Sequence, residues 1–163
     1  MSDTFENETS TEVKYGSLKT LTVLTFIGSA LAYLGSCWSF FKAESSVTEM
    51  EKNMANPDMP DFAKKMMTPE ALENLKLLAA NKWPVFILGL VGTTLCVVGA
   101  IQMRKLKAQG YYLWLIGETL PLISTLIFIN AGALFSGFNI IGPIIYVLFV
   151  VLYTLQRKYL INK

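Results

Sequence analysis

The stretch Tyr111–Asn130 reads YYLWLIGETLPLISTLIFIN, an apolar run interrupted by one ionisable residue, Glu118, and one helix breaker, Pro121. A helix rises 1.5 Å per residue, so roughly 20 such residues match the ~30 Å hydrocarbon core of a bilayer. Inside hydrocarbon every backbone N–H and C=O needs a partner within the protein, which makes this run a membrane-spanning helix. Arg104, Lys105 and Lys107 stand just before it. This one stretch sets the class of protein, its orientation and the single side chain most apt for chemistry.

Composition agrees. Charged residues make up 16% of the chain, against about 25% in soluble domains. The net charge of +2 is too small for a nucleic-acid partner, and the Lys and Arg residues flank apolar runs instead of lining one face. There is no His, which removes the commonest general base and metal ligand. Cys37 and Cys96 both sit inside apolar runs at different depths. An intrachain disulfide is therefore not expected, and both are read as small packing residues.

Met1–Ser17 is polar and acidic and is expected to be a disordered cytoplasmic tail. Leu21–Phe41 is the first span. Ala30-Leu31-Ala32 imitates a signal-peptide cleavage site, but the apolar run continues well past it and the leader is acidic, so a span is the reading. Gly28, Ala32 and Ser36 fall at i, i+4 and i+8, a stripe that lets another helix approach closely. A polar segment, 42–82, follows. Asn56-Pro57-Asp58-Met59-Pro60 divides it; Ser46–Ala55 extends the first span, and Thr68, Pro69 and Glu70 have the chemistry of a helix start. Leu72, Leu75 and Leu78 then form an apolar face that can lie on the membrane or dock on a partner. Met50, Met54, Met59, Met66 and Met67 allow a Cu(I) reading, but with no Cys or His beside them they read as adaptable apolar surface. No metal or cofactor is expected.

Trp83–Met103 is the second span, with a small-residue stripe at Gly92, Cys96 and Ala100, and Gly89 and Thr93 alongside. The stripe implies close packing with span one or between protomers. The connection Arg104–Gly110 is short enough to force a hairpin with the third span, where Tyr111, Tyr112 and Trp114 read as an aromatic belt. Ala131–Gly137 is an uncharged loop, and a fourth span runs to Leu155.

The expected fold is thus all-α and integral to the membrane. Four transmembrane helices cover about 20–41, 83–103, 111–131 and 138–155, with an amphipathic extracytoplasmic helical segment, 42–82, between helices one and two. Residues 18–160 form this domain, and 161–163 a short C-terminal tail. Positive charge marks the cytoplasmic side. Arg104, Lys105 and Lys107, with Arg157 and Lys158 near the end, serve as cytoplasmic membrane anchors, placing both termini inside. The expected location is a bacterial inner membrane, multi-pass.

Glu118 lies about seven residues into its span, roughly 10 Å deep. A bare carboxylate there costs several kcal/mol, and no span carries a cation at that depth. Thr25, Ser29 and Cys96 are the neutral groups at similar levels. Glu118 is therefore expected to be neutral at pH 7, or ionised only in a wet cavity or against a cation. Pro121 lacks an N–H and so frees the carbonyl of Gly117. With Asn130 as a second polar group on the same helix, Glu118, Gly117, Pro121 and Asn130 make a candidate proton or cation site, or a hinge; the alternative is a structural hydrogen bond that fixes packing.

The stretches LKTLTVLTFI (Leu18–Ile27), FAKKMMTP (Phe62–Pro69) and AIQMRKLKAQGYYLWLIGETLPL (Ala100–Leu122) resemble a set of small four-span inner-membrane proteins of Bacteroidetes-type bacteria. These stretches carry no known chemistry, so the resemblance implies topology alone. Two functions fit. One is an accessory or scaffold subunit of a membrane assembly, contacting lipid, itself or another membrane protein; this is the first expectation. The other is a small homo-oligomeric transporter or channel, linked to protons or cations through Glu118. An enzyme is not expected, because no metal cluster, phosphate loop or activated nucleophile is visible.

Overall fold

In the computed structural model, the described backbone covers residues 2–58, 60–135 and 140–160, with side chains described from Gly16 onward except at 61, 65, 66 and 159. The described residues are 89% helical, with no strand among them. Among the described residues seven α-helices follow in order: α1 Ser2–Met54, α2 Asp61–Met66, α3 Pro69–Ala80, α4 Lys82–Arg104, α5 Gln109–Phe128, α6 Ala131–Phe135 and α7 Ile141–Gln156, followed by a 3-10 turn Arg157–Tyr159.

Three helices, α1, α4 and α5, are long and apolar enough to cross a membrane. The expected fourth differs. α7 is apolar but has 16 residues, about 24 Å at 1.5 Å each. Ser136–Asn139, where the expected span begins, lies outside the described residues, as do 161–163.

The leader also differs from expectation, because α1 starts at Ser2. Helix growth is cooperative, so a long helix extends readily through residues with neither Pro nor Gly, and acidic residues suit a helix N-terminus. At its other end α1 runs 13 residues past Phe41, about 20 Å beyond the apolar run. There α3 packs back against it, with an ion pair between Lys76 and Glu51 at 2.7 Å. The amphipathic helix thus covers the chain's own α1. Its start is as the sequence indicates: Thr68 Oγ1 accepts from Ala71 N at 3.1 Å, and Pro69 opens the helix.

α4 is the hub. It packs most extensively on α5 and next on α1. The α4–α5 hairpin closes through two glycine pairs. A Cβ on Gly117 would meet Gly92 O at 2.6 Å, and one on Gly99 would meet Gly110 O at 2.7 Å. The pairs lie seven residues apart on each helix, so both face the same seam. The turn between the helices puts Leu106 at φ 59°, with Leu106 N bonded to Met103 O and Lys107 N to Gln102 O. That is a Schellman ending with Leu where glycine is usual.

At this end Leu18, Leu21, Met103, Tyr111, Trp114 and Tyr153 form one apolar cluster, with Leu106 and Leu160 against it. The N-terminal flank, the basic connection and the C-terminal turn therefore share one end of the bundle. Trp114 departs from the expected belt: it is fully buried, 4.5 Å from Tyr153 between ring centroids. Tyr112 stays exposed and accepts a hydrogen bond from Arg157. At the far end Lys82 pairs with Glu44 at 2.6 Å. Asn81 Nδ2 donates to Leu77 O at 3.0 Å and to Phe128 O at 2.9 Å, tying the α3–α4 corner to the end of α5.

Candidate functional site

Glu118 faces a cleft of about 380 Å³ lined by all four long elements: Gly28, Ser29 and Ala32 of α1, Thr93 and Cys96 of α4, Gly117 and Pro121 of α5, and Gly142, Ile145 and Tyr146 of α7. A second cleft of about 360 Å³ runs from Ala32, Thr93 and Pro121 to Phe40 and Lys82. The shared residues make the two continuous, a groove from the middle of the bundle toward the Lys82–Glu44 pair.

The α1 stripe lies along this groove. Gly28 and Ala32 are exposed, and nothing approaches a Cβ built on Gly28 within 4 Å. Ser36 meets α4, its Oγ 3.5 Å from a Cβ on Gly89. The α4 stripe turns elsewhere than expected. Gly92 packs on Gly117 O and Pro121, and Cys96 Sγ donates to Trp114 O at 3.7 Å. Ala100 is fully buried. The short connection forces α4 against α5, so the seam takes these small residues before α1 can.

Of the expected site, Gly117 and Pro121 line this cleft with Glu118, while Asn130 does not. Pro121 does deprive Gly117 O of its helical donor, but that carbonyl is turned to α4, 2.7 Å from where a Gly92 Cβ would stand. Absence of that Cβ lets the α4 backbone cover the carbonyl, with Cα–H groups as its weak donors. Asn130 lies past the end of α5 and is exposed. Its Oδ1 accepts from Gly132 N at 3.0 Å, so its amide serves the start of α6. Twelve residues, about 18 Å of helix, separate it from Glu118.

The groups that do surround Glu118 are hydroxyls. Thr25, Ser29 and Tyr146 share with it a pocket of about 100 Å³, lined also by Leu24, Gly28, Ile145 and Phe149. The Cys96 thiol stands within hydrogen-bonding reach of its carboxyl, and Tyr153 interacts with it electrostatically. Thr25 Oγ1 and Tyr153 OH are 2.7 Å apart. Thr25, Ser29 and Cys96 were visible in the sequence by depth alone. Tyr146 and Tyr153 were not, because periodicity cannot tell which face of an all-apolar helix turns inward.

Three tyrosines share one arrangement. Tyr146 OH is 3.1 Å from Thr119 Oγ1, which donates to Leu115 O at 2.7 Å. Tyr111 stands to Thr154 and Val150 O, and Tyr33 to Thr94 and Leu90 O, in the same way. Each threonine spends its one proton on a carbonyl, so each tyrosine must be the donor. These bonds join α7 to α5, α5 to α7 and α1 to α4. Thr25 is the exception, having no carbonyl on its hydroxyl.

Among the described residues no three His, Cys, Asp or Glu side chains gather as metal ligands. Both cysteines are free thiols, Cys37 exposed and Cys96 buried. Of the methionines weighed for copper, Met59 and the side chain of Met66 lie outside the described residues. The basic anchors Arg104 and Arg157 lie over the rings of Phe26 and of Tyr111 and Tyr112. Comparison with family models, curated proteins and solved structures returns no match, so the geometry alone bears on function.

Proposed function

We propose that this chain is a four-span membrane protein that binds and passes a proton or a cation through Glu118, as a homo-oligomer. The observation that carries this is the cleft: an intramembrane carboxyl opens onto a space between four helices, three of which bring hydroxyls to it (Thr25 and Ser29, Thr93, Tyr146), with no Lys or Arg lining it. Intramembrane carboxyls facing such spaces mark ion and proton paths. Four spans are too few to enclose a polar path alone, so this reading needs a second copy.

α7, with the apolar sequence leading into it, is the fourth span in this reading. The gathering of three basic flanks at one end supports a cytoplasmic position for that end and for both termini in a bacterial inner membrane. The extension of α1 with α3 then stands outside.

The accessory-subunit reading keeps one observation of its own. Gly28 and Gly35 on α1 have nothing within 4 Å, a surface fit for a helix of another chain. It has lost the outward amphipathic helix as a support, because α3 is taken up by α1.

The test is flux. Protein reconstituted in vesicles should carry protons or a cation down an imposed gradient, and Glu118→Gln should abolish it while the protein stays folded. Wild-type vesicles no leakier than empty ones would remove the transport reading and leave the accessory one.

A further inference from the structure

We infer that Glu118, Ser29, Thr25 and Tyr146 form a binding site for a monovalent alkali cation between α1, α5 and α7. This rests on the reading of Glu118 as the working carboxyl and names the ion it takes. The four side chains line one pocket of about 100 Å³, room enough for an ion with a water or two.

Proton counting shows that the oxygens are free to accept. Thr119 gives its proton to Leu115 O, so Tyr146 gives its own to Thr119 and keeps its lone pairs for the pocket. Ser29 is more than nine-tenths buried as a residue, and it lines the pocket. A hydroxyl oxygen has two lone pairs, so Ser29 can accept from or coordinate a ligand in the pocket. Thr25 shares one bond with Tyr153 and has acceptor capacity left.

The ligand atoms also select the ion. All are oxygens, which suits hard cations. They carry one negative charge between them, so a monovalent ion gives a neutral buried site, whereas a divalent ion would leave an uncompensated charge in a low-dielectric interior. Soft metals are disfavoured, because no sulfur is among the residues lining this pocket; Cys96 stands by the carboxyl in the adjoining cleft. The titratable groups facing Glu118 are Cys96 from α4 and Tyr146 and Tyr153 from α7, while α1 presents Thr25 and Ser29. The cation and a proton therefore compete for the same carboxyl.

The experiment uses the full chain in lipid nanodiscs, with sodium, potassium or choline chloride at constant ionic strength. Thermal unfolding and calorimetric titration are the readouts. Sodium or potassium should raise the unfolding temperature over choline and bind saturably. Affinity should rise with pH by about tenfold per unit while the carboxyl is still protonated, because each cation displaces a proton. Glu118→Gln should abolish binding, and Ser29→Ala and Tyr146→Phe should weaken it about tenfold, the worth of one ligand bond. Unfolding in choline reports whether each variant is folded; if Glu118→Gln is not, Ser29→Ala and Tyr146→Phe decide. Equal behaviour in all three salts, or binding unchanged in the variants, overturns the proposal. Glu118-dependent proton flux without cation binding overturns the cation site and leaves the relay standing; absence of both overturns both.

Discussion

The α4–α5 seam gives the sharpest prediction about how the site is held. In Gly117→Ala the added Cβ would lie 2.6 Å from Gly92 O, 2.7 Å from Cys96 Sγ and 2.8 Å from Cys96 N, where ordinary contact begins at 3.4 Å. Two of those atoms are backbone, so α5 must withdraw from α4 by about 0.6–0.8 Å, the difference between those distances. Overpacking of this kind costs about 1–3 kcal/mol. Exposure of the carbonyl that Gly92 covers adds ~0.5–1 kcal/mol, and the better helix propensity of alanine returns up to ~1 kcal/mol. The net expectation is a destabilisation of about 1–3 kcal/mol. Gly28→Ala makes the same chemical change where nothing stands within 4 Å, so it should be neutral or stabilise by up to ~1 kcal/mol. The assay is reversible denaturant unfolding of the monomer in micelles, followed by tryptophan fluorescence, since Trp114 sits in the seam. If Gly117→Ala is as stable as wild type, or Gly28→Ala is as damaging, the glycine-seam account is wrong.

Two further outcomes follow from the far end of the bundle. The Lys82 ammonium beside Glu44 holds that carboxyl below its usual value of 4.5. A carboxyl held low in the folded state contributes stability above its unfolded value and loses it as the pH falls through the folded one. Acid should therefore loosen the α1–α4 contact in wild type, and Glu44→Gln should show a flatter unfolding-temperature profile below pH 4.5. Asn81→Ala leaves Phe128 O, an end carbonyl of α5, without its donor, a loss of about 1–3 kcal/mol measurable in the same unfolding assay.

How much of this could be read in the sequence follows from which forces are local. Apolar run lengths announced α1, α4 and α5 because the bilayer thickness is a fixed ruler. Thr68-Pro69-Glu70 announced α3 because capping is settled within one turn. Glu118 stood out because a carboxyl in an apolar run needs a reason. Helix rotation was not legible. Trp114 has the look of an interface residue, and only the Gly99–Gly110 contact beside it explains its burial. The α1 and α4 stripes looked equivalent, yet the Arg104–Gly110 connection commits α4 to α5 and leaves Gly28 facing the groove. Gly117 and Glu118 are neighbours in sequence but about 100° apart around the helix, so the freed carbonyl and the carboxyl serve different partners. Asn130 illustrates the opposite limit, since its side chain finds the nearest backbone N–H and stays there.

The central claim is that the Glu118 carboxyl communicates with the aqueous phase through the cleft. Infrared difference spectroscopy of the protein in lipid, with the buffer cycled between acid and alkaline pH, reads this directly. The account predicts a carboxyl band that appears and disappears reversibly with pH, vanishes in Glu118→Gln and changes when sodium or potassium replaces choline. A spectrum in which Glu118→Gln is indistinguishable from wild type at every pH would show a carboxyl locked in one state, serving packing alone.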